Sequence, residues 1–370
     1  MKITLISNDI STNDLPRIYC LYSILRKYYD VEVMGACFGK GPYPIYDDTF
    51  PLQTYSGNWF PRFLKSVRAM VKDISGDVII PDNYEFASFG VAMLKKAISG
   101  KPVILGLSDY QSGLYSAWSK QSKKELLLSP NSLLYTQIME KMIRYADDVL
   151  TTSSFLMNKY GGVYLPHGRD TDALDPDKID GDYLRDKYEL GEKKVIVFCG
   201  RPTKHANLEA LLDAMELINR DDICILLVGG NPNGEYEKKI FKQGGRWLKL
   251  IGLRPWNEVP YFLDMGDLVV LPQKKTTFTQ AYTPAKMFEA MAMAKPIIAT
   301  RVSDMPEILK GCGIIVSVGE PQELADAIEK VLSSPDEAAE MGRRARLRCI
   351  ERYSWLAMEK TLLQVMKKYE

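Results

Sequence analysis

Residues 281–300, AYTPAKMFEAMAMAKPIIAT, read as a polar loop, a helix, a tight turn and a buried strand. Thr283 has the chemistry of an N-cap and Pro284 that of a first-turn residue, so the helix is predicted to start there with its free backbone N–H groups facing the loop. Such an end attracts anions. Met287, Met291 and Ala294 recur at helical spacing and form the predicted buried face, while Lys286 and Glu289 lie three residues apart on another stripe. A cation and a carboxylate side by side suit a ligand with phosphate at one end and hydroxyls at the other, Lys286 neutralising the phosphate and Glu289 accepting from a sugar. The same two residues also fit an ordinary surface salt bridge on an amphipathic helix.

Outward from this stretch the chain alternates strand and helix patterns. Residues 3–6, a helix period through Ile18, Leu21, Tyr22 and Leu25, and a strand opening at Val31 and Val33 make a βαβ start. The loop between them, SNDISTNDLP, lacks the Gly-x-Gly-x-x-Gly fingerprint, so no nicotinamide cofactor is expected. Residues 77–81 (DVIIP) and 102–107 (PVILGL) are buried-strand runs separated by a helical stretch, 85–98. Asp109 falls just beyond the second run, where doubly wound sheets bind ligands; capping the next loop is the alternative. A long helical stretch is predicted over 123–145, and a strand ending in hydroxyls over 148–153. In the second half, strands are predicted over 195–199, 223–228, 248–252, 267–272 and 313–316, with helices after Leu208 and from Pro321 and Pro335. Gly200 and Gly229 follow two of these strands and would let a ligand approach the backbone.

The chain has 370 residues, enough for two domains with separate cores. With 46% hydrophobic and 26% charged residues and a net charge of +1, the profile is soluble and globular and carries no field that would draw nucleic acid. The six cysteines are scattered without a CxxC and there are two histidines, so neither a disulfide framework nor a metal site is expected. The opening MKITLIS reads as a strand rather than a signal peptide, and no apolar run is long enough to span a bilayer, so the expected location is cytoplasmic. Residues 39–48 form a Gly/Pro/Tyr-rich loop, a candidate acceptor or lid segment or a plain connection. In 59–74, WFPRFLKSVRAMVKDI, an apolar stripe of Trp59, Phe63, Val67, Met70 and Ile74 is flanked by Arg62, Lys65, Arg68 and Lys72. This is a candidate peripheral contact with an anionic inner membrane face. The alternative is a helix packed on the first domain's sheet with solvated basic residues.

The run Pro284-x-Lys286-x-Phe288-Glu289-Ala290-Met291-Ala292, followed by Lys295-Pro296-Ile297-Ile298-Ala299-Thr300, resembles the donor-site segment of nucleotide-sugar glycosyltransferases with two Rossmann-like domains, the GT-B type. The nearest likeness is to the retaining enzymes of family four, glycosyl transferases group 1. The resemblance implies an α/β fold of two doubly wound domains facing across a cleft. Residues 1–170, completed by a C-terminal helix at 354–370, would form the acceptor side, and residues 171–353 would bind the donor, with Tyr164-Leu165-Pro166-His167-Gly168 as linker. It further implies that Glu289 binds the donor ribose, that Thr283 and Pro284 open the helix end holding the diphosphate, and that Gly200 and Gly229 border the nucleotide. Arg201 would reach the diphosphate, with Lys204 standing in for a lysine whose usual position is Ala206. Leu253 would lie by the nucleobase, and Asp109 would orient acceptor or donor sugar. The family's paired glutamates are interrupted: the first position, counted back from Glu289, is Ala281.

The activity implied is retaining transfer of a sugar from a nucleotide diphosphate donor to a glycan or lipid-linked acceptor hydroxyl, without metal or other cofactor. Arg201, Lys286, Lys204 and Asp109 would carry the chemistry. The competing reading is a non-catalytic nucleotide-sugar-binding subunit of the same fold. A sugar-nucleotide epimerase is disfavoured because no acid pair for proton removal is evident.

Overall fold

A computed structural model describes residues 1–45, 47, 49–118 and 121–370; Tyr46 and Asp48 of the 39–48 loop lie outside the described residues. The chain divides into two units, Met1–His167 with Met358–Glu370, and Gly168–Ala357.

In the first unit the strands are β1 (Lys2–Ser7), β2 (Asp30–Cys37), β3 (Leu52–Ser56), β4 (Val78–Pro81), β5 (Ile104–Leu107), β6 (Asp148–Thr151) and β7 (Val163–Tyr164). β1 lies between β2 and β4, with β3 outside β2, and all pair in parallel. β5, β6 and β7 form a second parallel set. Parallel bridges Ile79–Val103 and Asp82–Gly106 join β4 to β5. Parallel pairing requires crossovers, which the helices Leu15–Leu25, Phe63–Asp73 and Val91–Ser99 help to supply. The strand order reverses between β1 and β4, and the loops leaving those two strands are where such a sheet takes ligands.

The second unit contains β8 (Lys194–Cys199), β9 (Ile223–Val228), β10 (Leu248–Gly252), β11 (Leu268–Leu271), β12 (Ile297–Thr300) and β13 (Ile314–Val316). Their order is β10-β9-β8-β11-β12-β13, parallel throughout, so the chain reverses between β8 and β11. The apolar runs are continuous because both faces are covered. Val195, Val197 and Cys199 of β8 pack with Met287, Phe288 and Met291, while Ile196 and Phe198 face Leu211, Leu212 and Met215 on the other side.

One local expectation is corrected, one segment without a prediction is helical, and one pair of alternatives is resolved. The stretch 123–145 is broken into Lys123–Leu128, Leu133–Met142 and a 3-10 turn Ile143–Tyr145. Pro130 disfavours helical backbone at Ser129, which is extended, and Ser132 is the extended N-cap of the next helix. The loop 273–282 contains a helix, Thr277–Ala281, opened by a capping box in which Thr276 and Thr279 satisfy each other's backbone N–H groups. In 59–74 the helix spans Phe63–Asp73, and Phe63, Val67, Met70 and Ile74 are buried in the first unit's core, so the apolar stripe is occupied internally. Arg62, Lys65, Arg68 and Lys72 remain exposed, with Trp59 and Leu64 beside them in sequence.

From Met358 onward the C-terminal helix Trp355–Met366 and the last residues belong to the first unit. Glu359 accepts from Lys27 Nζ at 2.6 Å and Tyr28 Oη at 2.7 Å, and Asp148 accepts from Lys368 Nζ at 2.8 Å and Tyr369 Oη at 2.6 Å.

Candidate functional site

At the reversal point of the second unit, three strand ends meet in glycine. Gly200 follows β8 at φ +114°, and Gly229 follows β9 at φ +133°, both in a region that L side chains rarely adopt. Gly200 N–H donates to Val228 O at 2.7 Å and Gly229 N–H to Gly252 O at 2.8 Å. A Cβ on Gly229 would stand 2.4 Å from Gly200 O, so the backbone is closed there to any other residue.

Lys286 occupies the space above Gly200. Its Nζ would lie 3.0 Å from a Cβ at that position, and it sits 3.8 Å from the centre of the Phe198 ring. Loss of hydration lowers its pKa to about 8, while Cys199 and Glu289 act in the opposite direction. A poorly hydrated ammonium beside glycine backbone is positioned to meet an anion.

The helix that carries it spans Ala285–Ala292 and starts one residue later than expected. Its N-cap is Pro284, at φ −67° and ψ 123°, and no side chain caps it. Thr283, expected to be the N-cap, is buried with its hydroxyl 3.3 Å from Ser303 Oγ. The first-turn N–H groups are therefore not covered by a hydroxyl, which preserves the anion-binding character of the end.

Arg201 and Lys204 are exposed on the loop after Gly200, and Ala206 is buried. Leu253 is exposed beyond β10, whereas Ala281 is fully buried and brings no carboxylate to the site. Glu289 is half-buried and paired with Arg169, whose Nε and Nη2 donate to Oε1 at 3.1 and 2.9 Å. Sequence reasoning missed this arginine because its partner lies 120 positions away. It also missed an aromatic group: His205 is 5.2 Å from Phe278, which stacks on Tyr282 at 5.5 Å.

Asp109 lies in the first unit, at the C-terminal end of β5. Its backbone N–H and that of Ser108 donate to Asn83 Oδ1 at 3.2 and 2.9 Å, and Ser108 Oγ donates to Asp82 Oδ1 at 3.1 Å. Burial, and then the charge of Asp14, raises the Asp109 pKa to about 7. Asp82 is raised to about 7 by the same causes, partly offset by Arg17, and burial raises Asp14 to about 6. Glu85 is pushed well above the usual carboxylate range by burial and by its acidic neighbours. Asp109 thus belongs to a group of four carboxyls on the loops after β1, β4 and β5. Asp82 and Glu85 follow closely on the buried run 77–81, which is the signal the sequence holds for them. Among the described residues, no three of His, Cys, Asp and Glu are arranged to hold a metal ion, and no helix is long and apolar enough to cross a membrane.

Both units are thus parallel α/β sheets, and the second holds a lysine above a glycine turn at a helix end without a side-chain cap. Residues 193–334 match the family described as Glycosyl transferases group 1. The chain is 27% identical over 200 residues to the GDP-mannose-dependent alpha-(1-6)-phosphatidylinositol monomannoside mannosyltransferase of Mycobacterium tuberculosis, covering 52% of each chain. It spans about half the length of the curated relatives it matches. In fold it is similar to Anabaena Alr3699/HepE in complex with UDP and glucose, with TM-score 0.76 at 20% identity over 98% of this chain and 99% of that one. It is likewise similar to sucrose-phosphate synthase of Thermosynechococcus elongatus, with TM-score 0.76 at 16% identity over 100% and 98%. The match to the group 1 glycosyltransferase family lies within the second unit, and the solved structures share the fold of the chain.

Proposed function

We propose that this protein is a glycosyltransferase that moves a sugar from a nucleotide diphosphate donor to an acceptor hydroxyl. The observation that carries the reading is Lys286, poorly hydrated and held over Gly200 at an uncapped helix end. The donor's diphosphate would lie on that turn, with the Glu289 carboxylate at the ribose and the backbone around Gly229 and Leu253 along the nucleoside. As the bond from the anomeric carbon to phosphate oxygen breaks, negative charge grows on the leaving diphosphate. Lys286, the helix N–H groups, and Arg201 and Lys204 from their exposed loop would stabilise it without a metal. In a retaining mechanism the acceptor oxygen bonds the anomeric carbon on the same face, and its proton passes to the leaving phosphate. Asp109 would orient a sugar hydroxyl.

A lipid-linked acceptor, met from the cytoplasmic side of a membrane, is supported by the mannosyltransferase relative, which acts on a phosphatidylinositol monomannoside. The exposed basic face of the Phe63–Asp73 helix supports the same reading. The second reading, a non-catalytic nucleotide-sugar-binding subunit, is favoured by one observation, the buried Ala281 where the first family glutamate would stand.

Thermal-shift screening against nucleoside diphosphates and their sugars tests donor binding, followed by calorimetry on Glu289→Ala. That variant is expected to keep its fold and lose about 1.5–3 kcal/mol of nucleoside diphosphate affinity, the worth of a charged hydrogen bond. Unchanged affinity would remove the ribose role.

A further inference from the structure

The Glu289 carboxylate needs to be held at one place if it is to meet a ribose. Arg169 holds it through a single oxygen: Nε and Nη2 both donate to Oε1, and Oε2 takes no part in the pair. The arginine sits where the chain enters the second unit, yet its backbone is fixed. Its N–H donates to Tyr353 O and its carbonyl accepts from Trp355 N–H, each at 2.9 Å, in a parallel bridge with Ser354. Nη1 is tied to Gly168 O at 3.0 Å.

Lys286 is the competitor. It lies three residues before Glu289 on the same helix, a spacing at which a carboxylate and an ammonium readily pair. Such a pair would take the acceptor oxygens away from the ribose.

We propose that Arg169 is a positioning residue for the donor, holding Glu289 apart from Lys286 with Oε2 presented to the ribose hydroxyls of a nucleoside diphosphate. This rests on the reading of Glu289 as ribose ligand, and the test separates the two.

The full chain is titrated calorimetrically with UDP and GDP, and with the 2′,3′-dideoxy analogue of whichever binds more tightly. Glu289→Gln and Arg169→Met are each expected to weaken the nucleotide about tenfold, and the double variant no further than either alone. The dideoxy analogue, with no hydroxyls to present, should bind Arg169→Met nearly as it binds the wild type. Arg169→Lys, which keeps the charge and loses the two-nitrogen grip, should fall between them, and it supplies the same comparison if Arg169→Met does not fold. A second readout is the pH at which affinity declines. In the wild type this limb is expected to follow Lys286, whose pKa burial lowers to about 8; in Arg169→Met it should move upward as Glu289 turns to the lysine, and in the double variant it should return. An arginine that merely braced the fold would move neither the dideoxy comparison nor this limb.

Full affinity in both Arg169 variants alongside weakened Glu289→Gln would overturn the positioning role and leave the ribose reading intact. Full affinity in Glu289→Gln would remove the ribose reading and this inference with it, as would failure of the wild type to bind either nucleotide.

Discussion

Lys286 carries a cost that an ordinary surface lysine does not: it is kept poorly hydrated, and its proton is held less tightly than in water. That cost is useful where a dianionic leaving group forms, because a pre-placed cation needs no reorganisation as charge develops. Lys286→Ala and Arg201→Ala should therefore lower turnover more than ground-state donor affinity, measured as a kcat change exceeding the KM change. A rise in KM with kcat unchanged would assign these residues to binding alone. The carboxyl group in the first unit makes a separate statement about stability. A buried acid whose folded pKa exceeds its unfolded value favours folding while protonated, and that advantage is lost as pH rises through the folded value. For Asp82, at about 7 in the fold, the loss runs from about pH 4 to about pH 7. Asp82→Asn should raise the melting temperature at pH 8 and leave it unchanged near pH 4; no gain at pH 8 would mean that the carboxyl is not penalised. Residues within one motif, Lys286 and Glu289 among them, were legible because helical spacing fixes their neighbours. Arg169, and the convergence of Asp14, Asp82, Glu85 and Asp109, were not, since each depends on loops brought together from distant parts of the chain.

Among elements, the helices beginning at Pro321 and Pro335 were read to the residue, as first-turn prolines allow. The helix Thr277–Ala281 was hidden because threonine-rich sequence resembles loop until the reciprocal Thr276–Thr279 cap is known. The Phe63–Asp73 helix shows a further limit. Its amphipathic pattern reports that one face is apolar, not what covers that face, and here the first unit's core does. A different close fit governs the Pro335–Arg348 helix, where a Cβ on Gly342 would collide with Ala294 O in the turn after the Ala285–Ala292 helix. Gly342→Ala should thus cost about 1–3 kcal/mol as the helix is forced off that turn. Denaturant unfolding checks it, and a neutral result would mean that the turn yields freely. On the basic face, changing Arg62, Lys65, Arg68 and Lys72 together to Gln should leave stability nearly intact and abolish low-salt flotation with anionic liposomes. If the wild type does not float, or the variant floats equally well, the acceptor is to be sought among soluble sugars.

At the scale of the whole molecule, the pattern of buried runs and helices points to parallel α/β structure, because double coverage leaves continuous apolar strands, while the division into two doubly wound domains came with the family resemblance. The places where the chain passes between units, at His167 and again at Ala357 within the last helix, follow from packing rather than composition. We propose that the charges around Gly200 stabilise the leaving diphosphate without a metal, so turnover should survive a chelator, and strict dependence on a divalent ion would contradict this. The most direct test is nucleoside diphosphate release from a panel of nucleotide sugars, followed chromatographically for the wild type, Lys286→Ala and Glu289→Ala. Slow release from one donor class by the wild type, falling sharply in Lys286→Ala, is the expected result. Donor binding without release by the wild type, or release undiminished in Lys286→Ala, would contradict the assignment of a glycosyl transfer site to this lysine and this turn.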